Sequence, residues 1–307
     1  MSFSFNTKAE LCRLESGGLC CAVAECYGML LFGNTFSARE IRIITGNRTL
    51  GKRLADRFRH AFSITFDVLP DEGKTGKQAY IINNRDKLRR VFGAYGFSPE
   101  GLVAHHVNLS VLEDDCCRRS FVRGAFLTGG AITDPAKSYH LELVTDRFKV
   151  SRQTYSLLLD MGFSPKETAR SGNYIIYFKL SSAIEDFLTL VGAPIHAMEL
   201  MSAKIEKDVR NSVNRKVNCD TANVTKTVDA AAVQIEAITK IEAAGLFESL
   251  PEKLRQTAAL RVQYPEFSIK ELADISIPPV TKSCLNHRLR RLMEVSSTLQ
   301  VAAQKGE

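Results

Sequence analysis

From Ile275 to Met293 the chain carries no Asp or Glu, and inside that interval Lys282, Ser283, Asn286, His287, Arg288, Arg290 and Arg291 follow one another closely. Leu285, Leu289 and Leu292 recur at helical spacing and mark the buried side of one helix. The other side presents Lys282, Ser283, Asn286, His287, Arg290 and Arg291, with Arg288 alongside. These side chains are hydrogen-bond donors. A guanidinium pairs with both acceptors on the guanine edge, a carboxamide pairs with adenine in the same bidentate way, and Lys, Ser and Arg also grip phosphate oxygens. The competing reading is a basic surface helix in a bundle.

Such a helix acts on a ligand only if its neighbours present it. Val228, Ala231, Ala232, Ile235, Ile238 and Ile241 have helical spacing up to the stop at Gly245, and residues 250–262 give a further helix ended by Tyr264-Pro265. Ser268-Ile269-Lys270-Glu271 is a capping box, in which the Ser hydroxyl and the Glu carboxylate satisfy free amides at a helix start. That helix is short and reaches about Ile275; Ile277-Pro278-Pro279-Val280 then connects to Thr281, which caps the basic helix. A short helix, a turn and a basic helix form a helix-turn-helix, whose second helix enters the DNA major groove. The turn is longer than in the simplest such motif. Ser268, Lys270 and Thr281 therefore join the basic face as candidate contacts, and double-stranded DNA is the expected partner.

Thiols are the other reactive groups, eight of them in 307 residues. The adjacent pairs Cys20-Cys21 and Cys116-Cys117 lack the two-residue gap that lets both thiolates of a pair face one zinc. The expectation is reduced, mostly buried thiols in a cytosolic protein, with no metal and no cofactor. No apolar segment follows the N-terminus as in a secretion signal, and no run of 18 apolar residues occurs, so the expected location is the cytoplasm, on the nucleoid, with no membrane partner. A composition 45% apolar and 24% charged suits two or three packed units, and the net charge of +7 favours polyanionic partners.

The thiol pairs also begin an internal repeat. Cys20, Cys21, Gly28, Leu31 and Gly33 recur as Cys116, Cys117, Gly124, Leu127 and Gly129, all at an offset of 96 residues. Each copy sets small residues (Ala24, Gly28 and Gly33; Ser120, Gly124 and Gly129) along one side of an apolar helix, so that two such helices can approach backbone to backbone. Glycine inside a helix costs about 0.5–1 kcal/mol relative to alanine, so its repetition at matched positions points to packing. Gly33-Asn34 and Gly129-Gly130 then supply residue types that end helices. Alternating segments follow each copy, with Phe36, Ile41 and Ile43 in the first and Tyr139, Leu141 and Leu143 in the second.

A duplicated unit of helix and strands joined through small-residue helices resembles the LAGLIDADG fold of homing endonucleases, where the paired helices centre a pseudo-twofold saddle. In that family each motif ends in an acidic residue that holds a catalytic divalent metal. Aligning the motif glycines puts Gly33 and Gly129 at the two acid positions, and neither Asn34 nor Gly130 supplies a carboxylate instead. Glu25 lies two turns upstream. Phosphodiester cleavage with metal needs hard oxygen ligands at the scissile phosphate. The resemblance is therefore to the scaffold and implies no catalytic residues.

Between the motifs, residues 35–45 are expected as a strand, 48–60 as a basic helix, 64–69 and 77–83 as strands around the turn at Pro70, and 85–95 as a helix. Arg48, Lys52, Arg53, Arg57 and Arg59, with Lys87, Arg89 and Arg90, form either a phosphate-tracking face or a solvated one. After the second motif come a strand at 138–145, a helix at 151–161, a strand at 174–179 and a helix at 181–191. From Ala203 to Val224 the chain is rich in Lys, Arg and Asn, and Ile205, Val209, Val213 and Val217 recur every four residues as on an amphipathic helix. An interdomain role for this stretch is preferred over nucleic-acid contact.

A LAGLIDADG-like duplicated half without its acids, an Asn-rich bridge and a C-terminal helix-turn-helix resemble the WhiA regulators. The resemblance covers nearly the whole chain. It is carried by Phe121-Val122-Arg123-Gly124-Ala125-Phe126-Leu127, Lys137-Ser138-Tyr139-His140-Leu141-Glu142, Val213-Asn214-Arg215 with Val217-Asn218-Cys219, and Asn286-His287-Arg288-Leu289-Arg290-Arg291-Leu292. It implies an α+β saddle followed by an all-α helix-turn-helix domain, arranged as a first repeat at 1–110, a second at 111–195 within the same domain, a polar bridge at 196–223 and the DNA-binding domain at 224–304. It also implies a bacterial DNA-binding regulator of cell division, chromosome segregation and, in spore formers, sporulation, with other regulatory proteins as a second partner class through the N-terminal domain. An active endonuclease with displaced metal ligands, and an architectural division protein with secondary DNA binding, are the alternatives.

Overall fold

The computed structural model describes residues 2–15, 17–70, 76–98 and 104–304, and the chain divides between Asp208 and Val209 into two units. The first contains α1 (Phe3–Leu11), α2 (Leu19–Leu31), β1 (Thr35–Phe36), β2 (Ile41–Thr45), α3 (Arg48–Phe62), β3 (Gln78–Ile82), α4 (Arg85–Ala94), α5 (Asp115–Gly129), β4 (Gly130–Ile132), β5 (Leu141–Thr145), α6 (Phe148–Asp160), β6 (Lys166–Arg170), β7 (Asn173–Phe178) and α7 (Ser181–Val191). Helix α8 (Pro194–Ala243) begins in the first unit and ends in the second, where α9 (Glu252–Gln263), α10 (Ile269–Ile275) and α11 (Lys282–Gln304) follow.

Each half of the first unit sets one repeat helix beside one antiparallel sheet. The first sheet has the order β1-β2-β3 and the second β4-β5-β7-β6. Ile41 and Ile43 are buried while Arg42 and Ile44 face away, and Leu141 and Leu143 are buried in the matching strand, so the alternation legible in the sequence selects the core face. Helix starts follow local chemistry: the Asn47 side chain accepts from the amides of Thr49 (3.0 Å) and Leu50 (3.3 Å), and Asn84 does the same for Asp86 and Lys87. Helix α7 stops at Gly192, whose φ of 97° suits glycine.

The two halves are joined through α2 and α5. A Cβ built on Gly28 would stand 2.7 Å from the Ala125 amide nitrogen and closer still to the Phe121 carbonyl oxygen, and one on Gly124 would stand 2.9 Å from the Glu25 carbonyl carbon. The expected backbone-to-backbone approach is therefore present, and one hydrophobic core runs through both halves.

Glu25, fully buried beside this crossing, accepts from Arg53 Nε (2.5 Å) and Nη2 (2.9 Å) and from Arg123 Nη1 (3.3 Å), with Arg57 Nε at 3.9 Å. Arg53 also donates to the Leu14 carbonyl (2.9 Å) and Arg123 to that of Val191 (2.6 Å), so this carboxylate ties the loop before α2, helix α3, helix α5 and the end of α7 together. Removing one partner of such a buried network typically costs about 3–5 kcal/mol.

Several elements differ from the sequence expectations. Residues 35–45 form two strands, because Ser37 turns the chain: its hydroxyl accepts from the Glu40 amide (3.2 Å) and its amide donates to the Glu40 carbonyl (2.9 Å). Of 64–69, Val68 makes an isolated bridge to Ile81, and the turn expected at Pro70 continues outside the described residues. Strand β6 was not expected because all five of its residues are exposed, leaving no alternation to read. Residues 196–223 lie within α8; Pro194 opens this helix and neither Gly nor Pro follows until Gly245. The apolar positions expected on its amphipathic face, Ile205, Val209, Val213 and Val217, are each more than half exposed. The thiols are also less buried than expected: Cys117 is buried and Cys21 partly so, but Cys20 and Cys116 are exposed, since the first turns of α2 and α5 lie at the rim of the core.

Gly28→Ala or Gly124→Ala is expected to destabilise the first unit by about 1–3 kcal/mol through overpacking, despite the gain in helix propensity. Gly93→Ala, in α4 where an added Cβ meets nothing within 4 Å, is expected instead to stabilise by about 0.5–1 kcal/mol. Thermal unfolding of the three variants measures the contrast; equal behaviour would remove the close helix contact.

Candidate nucleic-acid interface

The second unit packs α9, α10 and α11 on the last turns of α8. Leu285, Leu289 and Leu292 of α11 are each 1% exposed and share a core with Ile238, Ile241, Ala258 and Leu272. Arg261 of α9 is buried and donates to the Phe267 carbonyl (2.7 Å), closing the turn before α10. The connection from α10 to α11 is held by the Val280 amide on the Ala273 carbonyl (3.2 Å) and the Ser276 hydroxyl on the same carbonyl (2.7 Å). These bonds fix the longer turn and set the start of α11 against α10.

Two of the expected contact residues serve the backbone first. The Ser268 hydroxyl accepts from the Glu271 amide (3.3 Å), and the Glu271 carboxylate accepts from the Ser268 amide (2.7 Å). The amide and hydroxyl of Ser268 beside Glu271 hold its carboxyl below the usual carboxylate range. Thr281 caps α11 by accepting from the Cys284 amide (3.2 Å). Both hydroxyls keep their own proton for a further acceptor.

The remaining candidates separate by angle, since successive helix residues turn by about 100°. Ser283, His287 and Arg290 are exposed on the side away from the leucines, while exposed Lys282 and half-buried Asn286 flank the leucine stripe. Arg291 is exposed and pairs with Glu294 at 2.9 Å. Arg288 lies on the opposite flank, lining with Glu252, Tyr264 and Ile275 an apolar opening between α9 and the α10–α11 turn, so it does not share the face of Asn286 and Arg290. Lys270, Lys282 and Ser268 instead meet at an opening of about 210 Å³ whose other wall is Lys226, Thr227 and Gln234 of α8. Lys226 and Thr227 were missed by sequence reasoning. Their stretch was read for its apolar periodicity alone, and no local signal places it beside the start of α11.

In the first unit, the positions matching the acids of LAGLIDADG enzymes do not fit a metal. A Cβ on Gly129 would stand 2.5 Å from the Val144 carbonyl oxygen and 2.9 Å from Phe32 Cβ, and one on Gly33 would stand 2.7 Å from the Met29 carbonyl oxygen. Bases occupy the surroundings. Arg147 donates to the carbonyls of Leu31 (2.8 Å) and Gly33 (3.3 Å) at the end of α2. Lys8 lies 5.6 Å from the centre of the Phe126 ring and lines, with Asn34, Leu127 and Thr128, the cavity at the helix ends. Burial lowers the Lys8 ammonium to about 8, which leaves it mostly charged at neutral pH. Among the described residues no cluster of three or more carboxylate or histidine groups able to share an ion is found here.

The basic face expected on α3 and α4 is thinner than its composition. Arg53 and Arg57 turn inward to Glu25, Lys87 binds Asp67 at 2.5 Å, and Arg90 donates to the Phe62 carbonyl (3.3 Å). Their charges are spent inside the fold.

A domain built on two crossed repeat helices, followed by a three-helix unit with a capped turn and a basic second helix, defines a LAGLIDADG-like protein carrying a helix-turn-helix. Family models agree: one described as the WhiA LAGLIDADG-like domain matches residues 118–210, and one described as the WhiA C-terminal HTH domain matches residues 213–296. The chain is 39% identical over 316 residues to the probable cell division protein WhiA of Ruminiclostridium cellulolyticum, covering 99% of this chain and 100% of that one. It is 35% identical over 314 residues to its counterpart in Alkaliphilus oremlandii, covering 98% of each. The crystal structure of full-length DUF199/WhiA from Thermotoga maritima matches with a TM-score of 0.59 and 25% identity, over 97% of this chain and 99% of that one. This chain belongs to the WhiA family.

Ser268→Ala removes the side-chain acceptor of the capping box and is expected to cost about 1 kcal/mol of stability in the second unit. Chemical denaturation followed by helical circular dichroism checks this; an unchanged midpoint would mean that the turn before α10 is held by Arg261 alone.

Proposed function

We propose that the chain is a DNA-binding transcriptional regulator acting in cell division and chromosome segregation, and in sporulation where the organism forms spores. Double-stranded DNA is its ligand, the nucleoid in the cytoplasm its place of action, and the LAGLIDADG-like domain a non-catalytic scaffold open to regulatory protein partners. The observation that carries this reading is the first turns of α11, where no acid occurs from Lys282 to Met293 and Ser283, His287 and Arg290 are exposed with Asn286 half-buried beside them. The relatives' name, probable cell division protein, supports the cellular role. The glycines at both acid positions, with Lys8 and Arg147 beside them, support the absence of cleavage.

Within this reading α11 lies in the major groove, Asn286 and Arg290 meet base edges or phosphates, and Lys226, Lys270 and Lys282 track one backbone strand. Binding of variants to cognate and random duplexes across a salt series tests it. Lys226→Ala, Lys270→Ala and Lys282→Ala should each weaken binding to all sequences and lower the salt slope by about 1. Asn286→Ala should cost about 1–3 kcal/mol on the cognate site and little on random DNA if the carboxamide reads a base. Parental binding by all of these variants, when folded, would place recognition elsewhere.

No cleavage of plasmid or cognate duplex is expected with Mg²⁺ or Mn²⁺. Nicking that copurifies with the chain and disappears on a point change at Lys8 or Arg147 would restore the endonuclease reading.

A further inference from the structure

The offset of 96 residues that pairs Gly28 with Gly124 also pairs Cys20 with Cys116 and Cys21 with Cys117. Because α2 and α5 cross with both starts at one end, the two thiol pairs arrive together: the four sulfur atoms all lie within 4.8 Å of one another. Sγ of Cys20 and Cys21 are 4.0 Å apart, and those of Cys116 and Cys117 are 3.9 Å apart. A tetrahedral zinc with Zn–S bonds of about 2.3 Å has sulfurs about 3.8 Å apart along each edge. Both within-pair edges are thus nearly in place, and the edges between helices need to close by about 1 Å at most, within the reach of χ1 adjustments. Adjacency prevents one Cys-Cys pair from chelating well by itself, but it places no such bar on two pairs facing each other.

We propose that Cys20, Cys21, Cys116 and Cys117 form a structural zinc site that clips the starts of the two repeat helices. The ion is bound by four thiolates, forming four Zn–S bonds as four thiol protons pass to solvent. The closed four-sulfur set selects a thiophilic divalent cation over Mg²⁺ or Ca²⁺, which prefer oxygen. The net negative charge of such a centre is met by the positive ends of α2 and α5, in whose first turns all four cysteines lie. Neither helix has a side chain bonded to its first free amides, since Gly18 has no side chain and Asp114 makes no cap bond. Cys20 and Cys116 are exposed, which gives the ion a path in. The site lies at the opposite end of the helix pair from Gly33 and Gly129, so it is separate from the metal position of the endonuclease fold.

The full-length chain, purified under reducing conditions without chelator, is expected to hold about one zinc per chain. Removing it and adding Co²⁺ should give the intense visible bands of tetrahedral cobalt and a near-ultraviolet thiolate charge-transfer band. Cys20→Ser and Cys116→Ser should lose the metal and those bands, while Cys284→Ser, a cysteine far along the chain in α11, should keep both. Circular dichroism checks that the variants fold, and the cobalt spectrum of the unaltered chain stands independently of them. The proposal fails if the reduced chain takes up neither zinc nor cobalt, or if Cys20→Ser and Cys284→Ser retain metal equally. It fails also if acid-quenched alkylation of protein taken from cells finds these four cysteines joined as disulfides.

Discussion

The N-terminal unit depends on the contact between Gly28 and Gly124. Two helices whose backbones touch must carry no side chain at the touching residues, and here each glycine lies against the backbone of the partner helix. Because the helices are copies of one sequence, whatever lies two turns before the glycine or one turn after it is brought face to face with its duplicate. Two thiols become four at one end. At the other end, two glycines stand at the positions aligned with the acids of the LAGLIDADG motif. The crossing also sets Glu25 beside Arg123, and through Arg53 and Arg57 it draws α3 into the same seam. The buried ion network thus follows from the crossing.

The positive charge of the chain is divided by burial between two kinds of work. Arg53, Arg57 and Arg123 have left water and are held by Glu25 or by carbonyl oxygens, so they contribute structure and nothing to a phosphate. Lys226, Lys270, Lys282 and Arg290 remain in water, where an incoming phosphate replaces counterions rather than an internal partner. The count of basic residues in α3 overstates its surface field, and the count in α11 does not, since Leu285, Leu289 and Leu292 already occupy the buried positions. Net charge alone could not make this division.

The same distinction explains what was legible in the sequence. The repeat, the capping box and Thr281 at the start of α11 were visible because each is written within a few residues or in an exact offset. The leucine stripe of α11 was visible because helical period and burial coincide. Strand β6, whose residues are all exposed, carries no periodicity. Continuity of α8 was hidden because polar composition suggested a linker, whereas helices end at stop residues, and none occurs between Pro194 and Gly245. Meetings of distant segments were least legible: Arg53 with Glu25, Lys226 with Lys282, and the first thiol pair with the second. Each was visible only as a residue type, and its partner was supplied by packing.

The helix end before Gly33 is completed by side chains of the fold itself. A helix C-terminus carries unsatisfied carbonyls and a partial negative charge, which carboxylates would increase and a divalent cation would offset. In this chain neither Gly33 nor Gly129 supplies a carboxylate, and the positive charge at the end of α2 comes from a side chain. The Arg147 guanidinium binds the carbonyls of Leu31 and Gly33, while the Thr145 hydroxyl donates to the Leu31 carbonyl at 3.1 Å. Lys8, carried by α1, brings a second positive charge to the cavity beside Leu127 and Thr128. An acid placed at residue 129 would meet the Val144 carbonyl and Phe32. With Arg147 and Thr145 in place the carbonyls at the end of α2 are satisfied by side chains, and any side chain at residue 129 would require repacking of the strand that carries Val144.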